Sequence, residues 1–558
     1  MLKTTAPSVS LLAAAAFATL SACGGGGGGG GGASPPPPPP PPPAGPSGPD
    51  YTPGVFEEAS TFRHQCETPR SGTNIEGDPF PDEQGSLVEE LFWLRSWTNE
   101  TYLWPDEVPD LDPYDYNNRV TYFDRLKTSE TTASGAPKDD FHFSQPTEEY
   151  LRARNSEPEP GYGANFVLIA NTPPREVRVI YSEPDSPAAE EVNGVQNLIR
   201  GSEILTVDGV DVVNANTQAE IDTINAGLFP DTAGETHTFT VQDPGASDTR
   251  TISLTAGNIT RQPVQSTTVL DTPGGKVGYI HFTTFSPFSS EEQIRDAMQT
   301  MASENVTDLV LDLRYNGGGL LAVASQLSYM IAGDAATSGR AFEQLRFNAA
   351  AGNINPVTGN RNDPIPFYTT GQGFSVANGT ALPSLDLDRV YVLSTGRTCS
   401  ASESVINALR GVDIEVVLIG DTTCGKPFGF YPTGNCGRTY YSIQFQGVND
   451  KGFGDYADGF VPQNATFDFG VQTPGCRVSD ELTEQLGQAG EPLLAAALQY
   501  RDDGTCPAPP ASSSGEKTTA SADSRQIDDG VALDKPAAPV FETNRDMTMP
   551  GEYNERTR

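Results

Sequence analysis

A chain of 558 residues is long enough for three or four domains with real cores. Its 73 acidic against 35 basic residues leave a formal charge of −38. That field repels phosphate backbones and anionic headgroups and excludes a nucleic-acid binder. Residues 1–49 hold one charged side chain, Lys3, and 507–558 carry nine acids and six bases. The charge therefore belongs to the body between them, where scattered acids serve solubility. The 57 Gly and 47 Pro are inflated by two runs, at 24–32 and 35–43.

In chain order, Lys3 precedes an apolar stretch at 9–20, too short for a bilayer and laid out as a secretory signal. Its end, Leu20-Ser21-Ala22-Cys23, resembles a bacterial lipobox. The resemblance implies a signal peptide at 1–22, acylation of Cys23, and a Gly/Pro-rich tether at 23–59. Gly after Cys23 fits the outer membrane facing the periplasm, so the expected place is the bacterial cell envelope, with the lipid anchor as the sole membrane contact. In that oxidising compartment Cys66, Cys399, Cys424, Cys436, Cys476 and Cys506 suggest three disulfides. Cys424 with Cys436 and Cys476 with Cys506 are the expected pairs. No CxxC pair or histidine cluster accompanies them, which argues against a metal.

From Ser86, the spacing of Leu87, Leu91, Leu94 and Trp97 predicts a helix opened by a Ser86/Glu89 capping box. With Tyr102, Trp104, Tyr116 and Tyr122 it marks a small helical N-terminal domain at 60–157. Between 158 and 258 short strands are expected: 177–181 by alternation, one before the Asp208-Gly209 turn, then 238–241 and 251–254, with a short helix at 186–190. A third body alternates strand and helix: strands at 277–282, 308–313, 390–393 and 415–419, helices at 290–303, after Leu320 and at 400–409. The tail at 507–558 has too few apolar residues to fold and is expected to be disordered.

Gly420 to Lys426 matches GxxxxGK, but the magnesium-holding Ser or Thr of a phosphate loop is replaced by Pro427. Lys426 makes better sense beside Ser400. In Thr398-Cys399-Ser400-Ala401-Ser402-Glu403 the serine falls at a helix N-terminus, where free N–H groups and the helix dipole favour an anionic intermediate. A buried lysine can serve as its base. Taken singly, Ser400 is a helix cap, Lys426 a surface lysine, and Asn316-Gly317-Gly318-Gly319 a strand-to-helix turn.

In this order, Asp312-Leu313-Arg314-Tyr315-Asn316-Gly317-Gly318-Gly319, the Ser400 motif and the Lys426 motif resemble the C-terminal processing (tail-specific) serine peptidases. The likeness covers about 160–505. It implies a multidomain α+β protein whose 158–258 is a PDZ-like β-rich domain and whose 266–505 is an α/β core of the ClpP/crotonase-like kind. It also implies a Ser400–Lys426 dyad and an oxyanion hole from the N–H groups of Gly318 and Ala401. The loop Gly161, Tyr162, Gly163, Ala164, Asn165 and Phe166 lies where PDZ domains hold a peptide carboxylate. No cofactor is implied; the partner is a protein or peptide held by its C-terminus or an extended segment. Asp458 to Pro462 resembles the family's late segment. The family's orienting glutamine is absent: Phe430 stands there, with Gln444 and Gln446 as stand-ins and Asp413 an approximate match to another subset's aspartate. Cys399 and Cys424 flank the dyad motifs, so a disulfide between them would brace the site. The competing classes are a catalytically weak PDZ-containing binding lipoprotein, and an esterase or amidase on the same dyad.

Overall fold

The computed structural model describes residues 48–170, 172–465, 469–508 and 547–548. The signal, Cys23, most of the tether and nearly all of the tail lie outside the described residues.

At the centre is a six-stranded sheet. The antiparallel pair Val264–Thr272 and Gly275–Phe282 is followed by the parallel strands Asp308–Asp312, Arg389–Ser394, Glu415–Gly420 and Gly475–Arg477, in that spatial order. The strands read as nearly continuous apolar runs because both faces are covered. Leu309, Leu311, Val392 and Leu418 face the helices Ser289–Glu304, Leu321–Thr337 and Ala401–Gly411, while Val310, Leu393 and Ile419 face the helix Pro492–Asp503. The expected strands and helices of this body are all present, within a residue or two.

Residues 159–259 form a second β-rich body. Its sheet runs Thr249–Thr255, Thr236–Gln242, Glu203–Val207, Glu176–Ser182, Ala164–Ala170, around a core of its own. Glu159–Gly161 pairs with Gly257–Ile259, closing entry against exit. The helix expected at 186–190 is instead a turn: Ser186 carbonyl accepts from Ala189 and Glu190 N–H, and the chain then enters the hairpin of Glu191–Val192 and Val195–Gln196. The helix of this body is Gln218–Leu228, started by a Thr217/Glu220 capping box.

The N-terminal segment centres on the helix Leu87–Thr101, with shorter helices Arg119–Phe123 and Thr147–Arg154. Ser86 accepts from Glu89 N–H as a cap, but the Glu89 carboxylate takes the Ser86 hydroxyl rather than its N–H. Leu91, Leu94 and Trp97 are buried as their spacing predicts, in a cluster that includes Tyr440 from the far end of the chain. The strand Phe143–Pro146 pairs with Arg438–Tyr441.

Three disulfides form: Cys66–Cys436, Cys399–Cys424 and Cys476–Cys506. The Cys476–Cys506 expectation holds, but Cys424 does not pair with Cys436. Nearness in sequence misleads there, because Cys436 lies on the turn facing the N-terminal segment while Cys424 lies on the loop beside Ser400.

Candidate active site

Three loops leave the carboxyl ends of three neighbouring parallel strands. The glycine turn follows Asp308–Asp312, Ser400 follows Arg389–Ser394, and the Lys426 loop follows Glu415–Gly420. Adjacency in the sheet brings together residues far apart in sequence, at the edge where open α/β sheets bind ligands.

Ser400 is fully buried and ends the approach to the helix Ala401–Gly411 with φ +60° and ψ −116°. That backbone conformation is costly for a residue with a side chain and clusters at functional sites. Its hydroxyl has no hydrogen-bond partner. The Ser400/Glu403 capping-box arrangement is present, with Glu403 accepting the Ser400 N–H at 3.0 Å, but its contact at the serine hydroxyl falls short of a hydrogen bond. Ala401 N–H lies in the first helical turn, where no intrahelical acceptor exists.

Gly318 has φ +114°, and a Cβ there would lie 2.7 Å from Ser400 Cβ and 3.0 Å from Ala401 N. Glycine is required by both backbone and space, and its absent side chain keeps the front of Ala401 N–H open. Buried Asn316 organises the turn. Its carbonyl accepts from Cys399 N–H and from Ser402 Oγ, its Nδ2 donates to Phe282 carbonyl, and its Oδ1 accepts from Gly318 N–H at 2.9 Å. The Gly318 amide is therefore engaged in this structure. Behind the turn, fully buried Arg314 pairs with Asp312, Glu491 and Asp480 at 2.9, 2.7 and 3.0 Å. Burial opposes its charge, but these carboxylates hold its pKa well above the ordinary arginine value.

Lys426 is fully buried, its Nζ 4.1 Å from the Phe430 ring centre and 5.0 Å from that of Phe141. Phe430, standing where a glutamine is expected, gives the lysine an aromatic face. Gln444 accepts from Tyr431 N–H and donates to Thr101 Oγ1, and Gln446 donates to Gly454 carbonyl. Asp413 lies on the surface, paired with Lys451.

Glu403 ties the parts together. One oxygen accepts from Ser400 N–H and Lys426 N–H (2.8 Å), the other from Gly425 N–H (2.9 Å) and the Thr423 hydroxyl (2.5 Å). Burial pushes its pKa up, against these donors. The sequence showed Ser-x-x-Glu, read as a cap; its reach to the lysine loop was not visible. Thr423 in turn bonds Phe460 in both directions, which seats the late segment against this loop. The loop at 161–166 belongs to the second β-rich body; Tyr162 there is buried, donating to Gly227 carbonyl, while Gly163 (φ +75°) is packed on Ser186.

Residues 276–429 match the model of Peptidase family S41. A carboxyl-terminal-processing protease of Picosynechococcus sp. is 27% identical over 266 residues, 47% of this chain and 54% of that protein. Carboxyl-terminal-processing peptidase 2 of the Arabidopsis thaliana chloroplast is 25% identical over 255 residues, 43% and 47% of the two chains. The chain thus spans about half the length of these curated relatives. Among solved structures, a Bacteroides fragilis protein assigned to the S41 proteases aligns with a TM-score of 0.54 at 24% identity, over 74% of this chain and 97% of that one, a likeness of fold. The glycine turn, Ser400 and Lys426 all fall within the residues that match the Peptidase family S41 model, and the two relatives named are carboxyl-terminal processing proteases.

Proposed function

We propose that the protein is a serine endopeptidase of the tail-specific class, cleaving extracytoplasmic proteins or peptides through a Ser400–Lys426 dyad and an acyl-enzyme. The observation that carries this is the convergence of the glycine turn, the strained Ser400 and the buried Lys426 at adjacent strand ends, joined by Glu403.

Ser400 Oγ attacks the scissile carbonyl while Lys426 Nζ, withdrawn from water, takes its proton. The oxyanion meets Ala401 N–H, with Gly318 N–H as second donor once it turns from Asn316 Oδ1. The lysine then protonates the leaving amine, and water releases the acyl group by the reverse sequence. The unpartnered Ser400 hydroxyl fits a resting dyad whose hydrogen bond tightens only with substrate in place.

The 158–258 body is proposed as a PDZ-like module whose loop from Gly161 to Phe166 receives a C-terminus or an extended segment. Lipidation at Cys23, at the head of the tether, would hold the enzyme in the cell envelope, a placement proposed on the lipobox alone.

The competing reading, a binding lipoprotein with a degenerate dyad, draws on the same unpartnered hydroxyl and on Phe430 in place of glutamine. Turnover of casein by the purified chain separates them. Ser400→Ala and Lys426→Ala should each lower kcat by at least about 10³-fold with the fold intact. Undiminished digestion by Ser400→Ala would overturn the dyad.

A further inference from the structure

The Cys399–Cys424 bond joins the two loops that the chemistry needs in register. Cys399 directly precedes Ser400, and Cys424 stands two residues before Lys426. We propose that this disulfide is a positioning element for the dyad, so that the oxidised chain turns over and the chain reduced at this one bond does not. The inference rests on the peptidase reading above.

The backbone around both cysteines belongs to the site. Cys399 N–H donates to Asn316 carbonyl, at the glycine turn, and its carbonyl accepts from Ser402 N–H in the first turn of the Ser400 helix. Cys424 N–H donates to Thr398 carbonyl. A cut at the sulfurs therefore loosens the Ser400 turn, whose φ of +60° must be imposed by its surroundings, and the lysine loop together. Glu403 and the Cys424 N–H bond to Thr398 carbonyl also tie these loops, but through hydrogen bonds, whereas the disulfide is covalent. The pair packs in a small cluster with Tyr102, Phe141, Phe428 and Ile443, separate from the main cores. Cys399 is 3% exposed, whereas Cys424 is half-buried, so an external thiolate meets Cys424 first. A dithiol reductant attacks Cys424 Sγ and the Cys399–Cys424 bond breaks. The second thiol of the reductant then resolves the mixed disulfide. Two electrons and two protons end on the cysteines, and the reductant leaves as its own disulfide.

The molecule supplies a control. Cys476–Cys506 closes a loop of similar size, 30 residues apart in sequence against 25, and half-buried Cys506 is also open to reductant. It ties the strand Gly475–Arg477 to the end of the helix Pro492–Asp503, on the sheet face away from Ser400's helix. The two bonds should restrict the unfolded chain alike, so a purely structural role predicts equal effects.

The test uses the full oxidised chain, a casein-derived fluorogenic peptide, dithiothreitol, and thiol counting by alkylation and mass spectrometry. Reduction of the 399–424 pair should lower kcat at least tenfold with KM within about twofold, and reoxidation should restore it. Cys476→Ala/Cys506→Ala should keep wild-type kcat and the same sensitivity to dithiothreitol. Cys399→Ala/Cys424→Ala should start at the reduced level and ignore dithiothreitol, with a melting temperature like that of the other double variant. Wild-type kcat in Cys399→Ala/Cys424→Ala, or loss of kcat in both double variants in step with their melting temperatures, overturns the inference alone. Should wild-type carrying the closed bond cleave no peptide, or cleave equally with Ser400→Ala, the dyad reading falls and takes this inference with it.

Discussion

The strand-end loops and the N-terminal segment both meet at Lys426, and they do so by opposite routes. The glycine turn, Ser400 and Lys426 each follow directly from a strand of the parallel sheet, and their contacts are short backbone bonds to Glu403 and Asn316. The N-terminal segment reaches the same lysine from far upstream, through the Phe141 ring. It is fastened by a disulfide spanning 370 residues of sequence and by the pairing of Phe143–Pro146 with Arg438–Tyr441. The groups of the proposed dyad are placed by one sheet; part of the apolar cover over Lys426 comes from elsewhere in the chain.

If the sheet-end loops form one unit, removing the group that joins them should have the largest effect. Glu403→Ala would leave three buried N–H groups and the Thr423 hydroxyl without their acceptor. With about 1–3 kcal/mol for each unmet group, and incomplete additivity, urea unfolding should show a loss of roughly 4–6 kcal/mol. Turnover should fall at least about 10²-fold, since both the Ser400 turn and the lysine loop are released. Glu403→Gln, which keeps one acceptor, should fall between. A Glu403→Ala protein within about 1 kcal/mol of wild type would show that the loops are held separately.

A second buried carboxyl lies beside the same helix. Glu343 has one oxygen accepting from Ser404 at 3.3 Å and the other without a partner, and burial pushes its pKa up to about 8. Its folded pKa is raised, so its contribution to stability is whole below the unfolded carboxyl value. It is lost as pH rises through about 8. At 1.36 kcal/mol per pKa unit the cost of the acid over an uncharged isostere reaches on the order of 5 kcal/mol by pH 9. Glu343→Gln should therefore gain on wild type between pH 5 and about pH 8 and level off by pH 9 in paired thermal melts. A constant gap would mean that Glu343 is charged throughout, and that the space behind the Ser400 helix is wetter than the sheet end in front of it.

What could be read from sequence follows the same division. The strands and helices of the central body were legible because apolar runs bounded by glycine turns encode a sheet covered on both faces. Ser400, Lys426 and the glycine turn stood out as short contiguous motifs. Glu403 was visible only as a cap, because its partners at 423–426 lie across the sheet. The turn at 186–190 was misread as a helix: a serine-proline start resembles a helix opening, and only the hairpin after it decides otherwise. Phe141 carried no signal at all. An aromatic in an irregular stretch has no periodicity to betray which face it covers, and Cys66–Cys436 could not be paired from spacing.

Phe141→Ala tests whether that unreadable cover matters to the chemistry as well as to the fold. Phe141 is 9% exposed and packs with Tyr102, Cys399, Phe428 and Ile443, so its truncation should cost about 3 kcal/mol. Water admitted through the gap would solvate Lys426 and favour its ammonium form, which cannot take the serine proton. The acid limb of the kcat–pH profile should move to higher pH, with kcat near neutrality down by roughly tenfold. Phe141→Leu, which keeps the gap filled without the ring, should restore most of the stability and most of the profile. A stability loss with an unmoved acid limb would mean that the sheet-end loops keep Lys426 dry by themselves, through Phe430 and the apolar strand before it. The N-terminal segment would then be a structural cover with no hand in the proton transfer.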